Sequence, residues 1–349
     1  MACVYRNVKY KMPYLTLHQK NIMIIAVKIM VRQAGIFMEN YTMSEEEKAF
    51  LTRYDISVFE RPSVAADMAV FSIMGEKSHG TSKERRDPFN YRKDPMKQLK
   101  LLLIRRGSFP YKNAWALPGG FCRKGESVTE TARRELCEET GVEDAYLRPF
   151  DIFSETGRDP RGWIISHAFL ALINGEKYRV HEGTDAWEAR WFQIEVESRD
   201  IKREISSNEA QIECIYTLHL TCEEADDLCM TAEIKERKSY EQYHETVEYE
   251  ILNGSNLAFD HARIILCAYL ALQKEANNDG TVIFDLMPER FTLTELQRAF
   301  ESVLGKSLLI ANFRRKIMDY VLETDEIVEG IGHRPAKLFR RNLERFYQT

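Results

Sequence analysis

The 349-residue chain lacks any cysteine pair spaced to hold a metal. Its seven cysteines (Cys3, Cys122, Cys137, Cys214, Cys222, Cys229 and Cys267) are scattered, with no C-x-x-C and no histidines at zinc spacing. Zinc ribbons and small disulfide scaffolds are excluded, and reduced thiols in a cytoplasmic protein are expected. No apolar run is long enough to span a bilayer. The nearest, residues 21–30, is short, carries Lys28 and has no small-residue cleavage site, so no membrane partner is expected. A basic excess is also missing: the formal charge is -5, so any nucleic-acid contact must come from a local patch. Internal repeats and low-complexity tracts are absent. What remains, 44% hydrophobic and 30% charged, is a globular composition long enough for two domains.

Residues 1–43 are expected to be an N-terminal extension, either disordered or untranslated, with Met38 and Met43 as alternative starts. A polar helix is predicted over 44–53, a strand over 65–74, a charged surface loop over 76–97 and a buried-type strand over 99–105. A loop with Pro118, Gly119 and Gly120 precedes a helix at 128–139 that Gly141 stops. Strands follow at 163–173, 189–192, 213–220, 230–235 and 246–252, the last three as a meander inserted late in the domain, at about 195–255. A helix over 260–274 leads to Asn277-Asn278-Asp279-Gly280, the clearest linker composition in the chain. The expected domains are therefore 44–276 and 281–349.

The chemistry is concentrated between Gly120 and Val142. Gly120, Glu126 and Arg134-Glu135-Leu136-Cys137-Glu138-Glu139-Thr140-Gly141-Val142 fill the pattern G-x5-E-x7-R-E-U-x-E-E-x-G-U, with U a bulky aliphatic. At ordinary residue frequencies a given window fits with probability on the order of 10⁻¹⁰, which excludes chance. On a helix Glu135, Glu138 and Glu139 stand at i, i+3 and i+4, so their carboxylates share one face. Three such neighbours repel unless a cation sits among them, and hard oxygen donors at this density suit Mg²⁺ or Mn²⁺. That ion would neutralise a diphosphate and activate water. Gly119 and Gly120 allow a close backbone approach, Arg134 is expected to pair with Glu126 or Glu130, and Cys137 is expected to pack.

This pattern resembles the Nudix box without a departure. The resemblance implies a Nudix-type α/β/α sandwich with a mixed sheet, an α+β fold. It also implies hydrolysis of a nucleoside diphosphate by Glu126, Arg134, Glu135, Glu138 and Glu139, the three helical glutamates holding the metal. Downstream, Gly157-Arg158-Asp159-Pro160-Arg161-Gly162 is similar to the ADP-ribose-directed branch, which points to an ADP-ribose-like ligand bound by Arg105, Gly119, Gly120, Arg158 and Arg161. Guanidinium forks suit phosphate and ribose oxygens, although an Asp-Pro turn with surface arginines explains the same residues. Phe153 and Trp163 are candidates for stacking on adenine, with core packing the more economical role.

In the last seventy residues, Thr292 and Glu295 have capping-box spacing at the start of an apolar-periodic segment over 291–304, which Gly305 stops. A second helix is predicted over 310–322 and a hairpin over 326–339. Helix, turn, basic helix and hairpin is the winged-helix order. Phe291-Thr-Leu-Thr-Glu-Leu-Gln, Asn312-Phe-Arg-Arg-Lys and Gly332-His-Arg-Pro-Ala resemble the C-terminal domain of Nudix-related transcriptional regulators. That resemblance implies a homodimer that binds a double-stranded DNA operator of NAD-metabolism genes through Asn312, Arg314, Arg315, Lys316, His333 and Arg334. Many such regulators have a degraded box, whereas this one is whole, so sensing and hydrolysis are both expected. The alternative is a plain ADP-ribose pyrophosphatase whose C-terminal unit serves dimerisation or protein interaction.

Overall fold

The computed structural model describes residues 42–75, 97–143, 145–175, 186–223, 225, 228–241, 244–328 and 335–346. The expected N-terminal extension, nearly all of the 76–97 loop, and His333 and Arg334 lie outside the described residues. Two compact units are present, divided after Glu60. The first contains α1 (Glu45–Arg53), opened by a capping box between Ser44 and Glu47.

The second unit is built on a mixed sheet. Its strands are β1 (Ser63–Gly75), β2 (Lys97–Arg106), the short β3 (Trp115–Ala116) and β4 (Gly119–Phe121), β5 (Tyr146–Phe153), β6 (Ile164–Leu172), β7 (Ala186–Ile205), β8 (Glu209–Thr221), β9 (Cys229–Glu241) and β10 (His244–Asn253). They lie in the order β10-β9-β8-β7-β2-β1-β6-β5, with β3 paired to β2 and β4 to β1. β1 and β6 are parallel, from Ser63 opposite Ile164 to Phe71 opposite Leu172; β1 and β2 are antiparallel.

Alternation along β1 and β2 supplies two cores, as a pleated strand buried on both faces must. Ala66, Met68, Val70 and Leu102 face Ala132 and Leu136 of α2 (Val128–Thr140). Ala69, Phe71, Leu101 and Leu103 face the other way, into a cluster with Ile264, Ile265 and Leu272 of α3 (His261–Asn278). The sheet is thus sandwiched between two helices, as expected.

That second cluster does not stop at the 277–280 segment. Gly280 takes a left-handed φ of +76° and feeds a 3-10 turn, Thr281–Leu286, whose Val282, Ile283 and Phe284 are buried with the sheet and α3. α4 (Leu293–Leu304), α5 (Ile310–Ile317), β11 (Val321–Val328), β12 (Ala336–Arg341) and α6 (Leu343–Phe346) complete a winged helix. Phe300, Phe313 and Phe339 join the same cluster, so polar composition marks a helix end here rather than a free linker. The Ser302 hydroxyl donates to the Lys97 carbonyl at the start of β2, and Arg341 pairs with Asp285 at 2.7 Å.

Several expectations require correction. The strand expected at 189–192 runs through Ala186–Ile205, because its outer part pairs with β8. β5 was not expected; it interleaves Pro149 and polar residues along an edge and lacks a strong apolar signature. The helix expected to reach 322 ends at Ile317, since Val321 and Leu322 pair with Arg341 and Arg340. Trp163 is 56% exposed and Cys137 is exposed, so neither packs in the core; Phe153 does. Among the described residues, no helix is long and apolar enough to cross a membrane.

Candidate functional site

A pocket opens where the C-terminal end of β2, the loop into β4, α2, the 157–162 loop and the start of α3 meet. Its backbone floor is held from two sides. The Leu117 amide donates to His261 Nδ1 at 2.9 Å, and the Gly119 amide donates to Glu139 Oε2 at 2.8 Å. A side chain at Gly119 would collide with the Ala66 carbonyl, so glycine is required there, and one at Gly120 would displace the Glu135 carboxylate.

The box residues are placed by α2. Ser127 and Glu130 form a capping box and Gly141, at φ +72°, ends the helix. Glu130 being used at the cap, Arg134 turns to Glu126, at 2.8 Å through Nε and 2.9 Å through Nη2. This contact holds the Glu126 carboxyl down at about 2 and raises the Arg134 guanidinium above its ordinary value. Arg134 also reaches Glu135 and Glu138, at 2.5 and 3.2 Å.

The three helical glutamates are not equivalent. Glu135 and Glu139 line the pocket, whereas Glu138 lies among Arg123 and Arg134, each at 3.2 Å. Burial pushes Glu139 up to about 8; the nearby Glu135 and Asp67 carboxylates add to the effect, against the Gly119 N–H. Among the described residues no three His, Cys, Asp or Glu side chains are gathered as a metal cluster. The chemistry of the pocket nevertheless fits a divalent ion: Glu139 and its carboxylate neighbours destabilise one another as anions, which a hard cation relieves.

Two pocket residues came without any sequence signal. Asp67 of β1 is buried, accepts from Ser166 and sits 3.8 Å from Arg158 and 4.0 Å from His261 Nε2. His261 is held neutral by burial, with Nδ1 as acceptor from Leu117. An acid and a histidine nearly two hundred positions apart carry no spacing pattern, and only the sheet register unites them.

The expected ligand arginines divide. Arg158 also lines the pocket, with its side chain largely buried and forked onto Asp260 at 2.7 and 2.9 Å. Arg161 pairs with Asp159 at 2.7 Å and remains partly exposed at the pocket rim. Arg105 lines the pocket and approaches Glu188 at 3.5 Å. In the winged helix, α5 buries Phe313 and Ile317 and exposes Asn312, Arg314, Arg315 and Lys316 along its other face. Asn312 accepts from Arg315 at 3.2 Å.

Comparison with known proteins agrees with this architecture. Residues 91–212 match the NUDIX domain model and residues 283–341 match the model of the NrtR DNA-binding winged helix domain. The chain is 29% identical over 302 residues to the ADPR responsive transcriptional repressor NtrR of Acinetobacter baylyi, spanning 85% of this chain and 89% of that protein. It is 43% identical over 99 residues to an ADP-ribose pyrophosphatase of Methanocaldococcus jannaschii, spanning 28% of this chain and 57% of that protein. The crystal structure of a MutT/nudix family protein from Enterococcus faecalis superposes with a TM-score of 0.55 at 25% identity, over 86% of this chain and all of that one. The chain thus joins a Nudix domain to an NrtR-type winged helix domain.

Proposed function

We propose that the protein is a ligand-responsive transcriptional regulator. In this reading its Nudix pocket binds, and hydrolyses, an ADP-ribose-like nucleoside diphosphate with Mg²⁺ or Mn²⁺, and its winged helix binds a double-stranded DNA operator as a homodimer. The observation that carries the reading is continuity. α3 begins at the pocket with Asp260 and His261, and its residues share one apolar cluster with Phe300 and Phe313 of the winged helix. A packed helix transmits displacement at one end to the other, which is what ligand-dependent DNA release requires. Likeness to a repressor named for its ADPR response supports the pairing of functions.

Glu135 and Glu139 are the metal-holding residues in this proposal, with Glu138 supplied when Arg123 releases it. A bound divalent ion supplies charge neutralisation at the diphosphate and acidifies water. Glu126 and Arg134 fix the box geometry, and the small profile of Gly119 and Gly120 lets the diphosphate approach the floor. Neutral His261 holds the Leu117 amide in place. Arg105 and Arg161 stand at the rim for the ligand, while Arg158 secures the loop through Asp260. Asn312, Arg314, Arg315 and Lys316 meet phosphates and base edges, with His333 and Arg334 at the wing.

The complete box and the likeness to an ADP-ribose pyrophosphatase favour turnover in addition to sensing. Incubation with ADP-ribose and Mg²⁺ should release AMP, and a mobility shift on the promoter of its own operon should be relieved by ADP-ribose. Failure of both, with ligand and DNA at saturating concentrations, removes the proposal. AMP release without any DNA shift leaves the plain hydrolase.

A further inference from the structure

Two long elements that meet the pocket at one end reach α4 of the winged helix at the other. β2 brings Arg105 and Arg106 to the pocket and begins with Lys97, ten residues that extend ~30 Å. α3 opens at the pocket with His261 and carries Gln273 in its fourth turn, ~18 Å away. The pocket floor is bonded to both. Ala116 and Trp115 pair with Ile104 and Arg105 of β2, while Trp115 exchanges bonds of 2.9 and 2.8 Å with Asn256 and Ala258, just before α3.

At the far end both elements grip the last turn of α4. The Ser302 hydroxyl donates to the Lys97 carbonyl, and Gln273 Nε2 donates to the Val303 carbonyl at 3.2 Å. That carbonyl is among those at a helix end that have no donor within the helix. Lys97 also stands 3.8 Å from Glu295 Oε1, and the other oxygen of Glu295 closes the α4 capping box on the Thr292 amide at 2.8 Å. Apolar packing already joins these surfaces, but it has no direction and lets them slide; hydrogen bonds fix points.

The plain role of such bonds is to fasten a junction. Their placement argues for more. Ser302 and Val303 are adjacent, so α4 is pinned at neighbouring points by two elements that differ in freedom. β2 is hydrogen-bonded along both edges, to β1 and β7, whereas α3 lies on the sheet through side chains, the arrangement that permits small sliding of a helix. A helix pinned at two points turns when one moves against the other. Its motion is passed on: Glu301 of α4 accepts from the Leu308 amide at 2.7 Å and Gln297 donates to the Leu308 carbonyl at 3.0 Å, just ahead of α5.

We propose that Ser302 and Gln273 are positioning residues that convert a shift of α3 along the sheet into a rotation of α4 and, with it, of the basic helix α5. The inference rests on the proposed ligand-dependent release of DNA and gives it a mechanical route.

The test measures affinity of the full chain for a fragment of its own promoter, by anisotropy, without and with saturating ADP-ribose, and affinity for ADP-ribose, by calorimetry, without and with the fragment. Ser302→Ala combined with Gln273→Leu is expected to keep each affinity measured alone within about twofold of the parent and to reduce the effect of one ligand on the other at least ~5-fold, equally in both directions. Ser302→Thr, which keeps the hydroxyl, should retain the effect. So should Ile234→Val, which trims the same apolar cluster without touching either bond. An undiminished effect in the double variant, an equal reduction in Ile234→Val, or a loss of either affinity measured alone overturns the inference and leaves the proposed function standing. A parent protein that fails to bind either ligand, or binds both without mutual effect, overturns the two together.

Discussion

Arg158 and Asp260 form a two-pronged ion pair at 2.7 and 2.9 Å that joins the 157–162 loop to the residue opening α3. Both side chains are nearly out of contact with solvent, and Asp67 stands 3.8 Å from the same guanidinium. Removing one partner strands a buried charge. Arg158→Met or Asp260→Asn is therefore expected to cost ~3–5 kcal/mol, and the double variant less than the sum. Urea denaturation of the two singles and the double checks this; additive losses would show that the pair is not coupled.

The box has its own pH signature. The Glu126 carboxyl is held at about 2, chiefly by the Arg134 hydrogen bond, below its ordinary value of 4.5. A depressed carboxyl contributes stability that is complete above its unfolded value and is lost as pH falls through the folded one, so the window runs from about 4.5 down to about 2. Arg134→Met should move the Glu126 titration, followed by carboxyl NMR, up toward 4.5. An unmoved titration would assign the shift to another group.

Chemistry and DNA binding should separate by substitution. Glu139→Gln is expected to lower AMP release from ADP-ribose by orders of magnitude through loss of the metal, with DNA affinity within about twofold of the parent. Conversely, Arg314→Glu with Arg315→Glu should abolish DNA binding together with its salt dependence and leave ADP-ribose binding intact. Loss of both functions in either variant would contradict the division of labour.

Gly280 tests the joint between sheet and winged helix. A methyl group there would strike the Phe300 ring, and the residue sits at φ +76°. Gly280→Ala is expected to cost ~1–3 kcal/mol. Because Phe71, Leu101, Ile265, Phe300 and Phe313 belong to one cluster, sheet and winged helix should melt in a single calorimetric transition. Two resolved transitions would show that the shared core does not couple them.

Much of this was legible in the sequence, for identifiable reasons. The box residues act within one helix and one turn, so their spacing encodes their geometry; Gly141, Thr292 and Gly305 marked helix ends that formed as read. Asp67, Arg106, Phe259 and His261 were not legible as a group, because they come together only through the register of β1 and β2 and the return of the chain into α3. Arg158 had the right residue type and the right motif, yet its charge is consumed by Asp260, a partner 102 positions away. Asn277 to Gly280 read as a linker from composition, while the buried Val282, Ile283 and Phe284 that follow tie the chain back to the core.

Fluorescence anisotropy of a labelled promoter fragment bound to the parent protein, titrated with ADP-ribose in Mg²⁺, tests ligand-dependent DNA release most directly. A fall to the free-DNA value is expected, at ADP-ribose concentrations matching the calorimetric affinity of the pocket. Anisotropy that stays high while calorimetry reports a saturated pocket would contradict it.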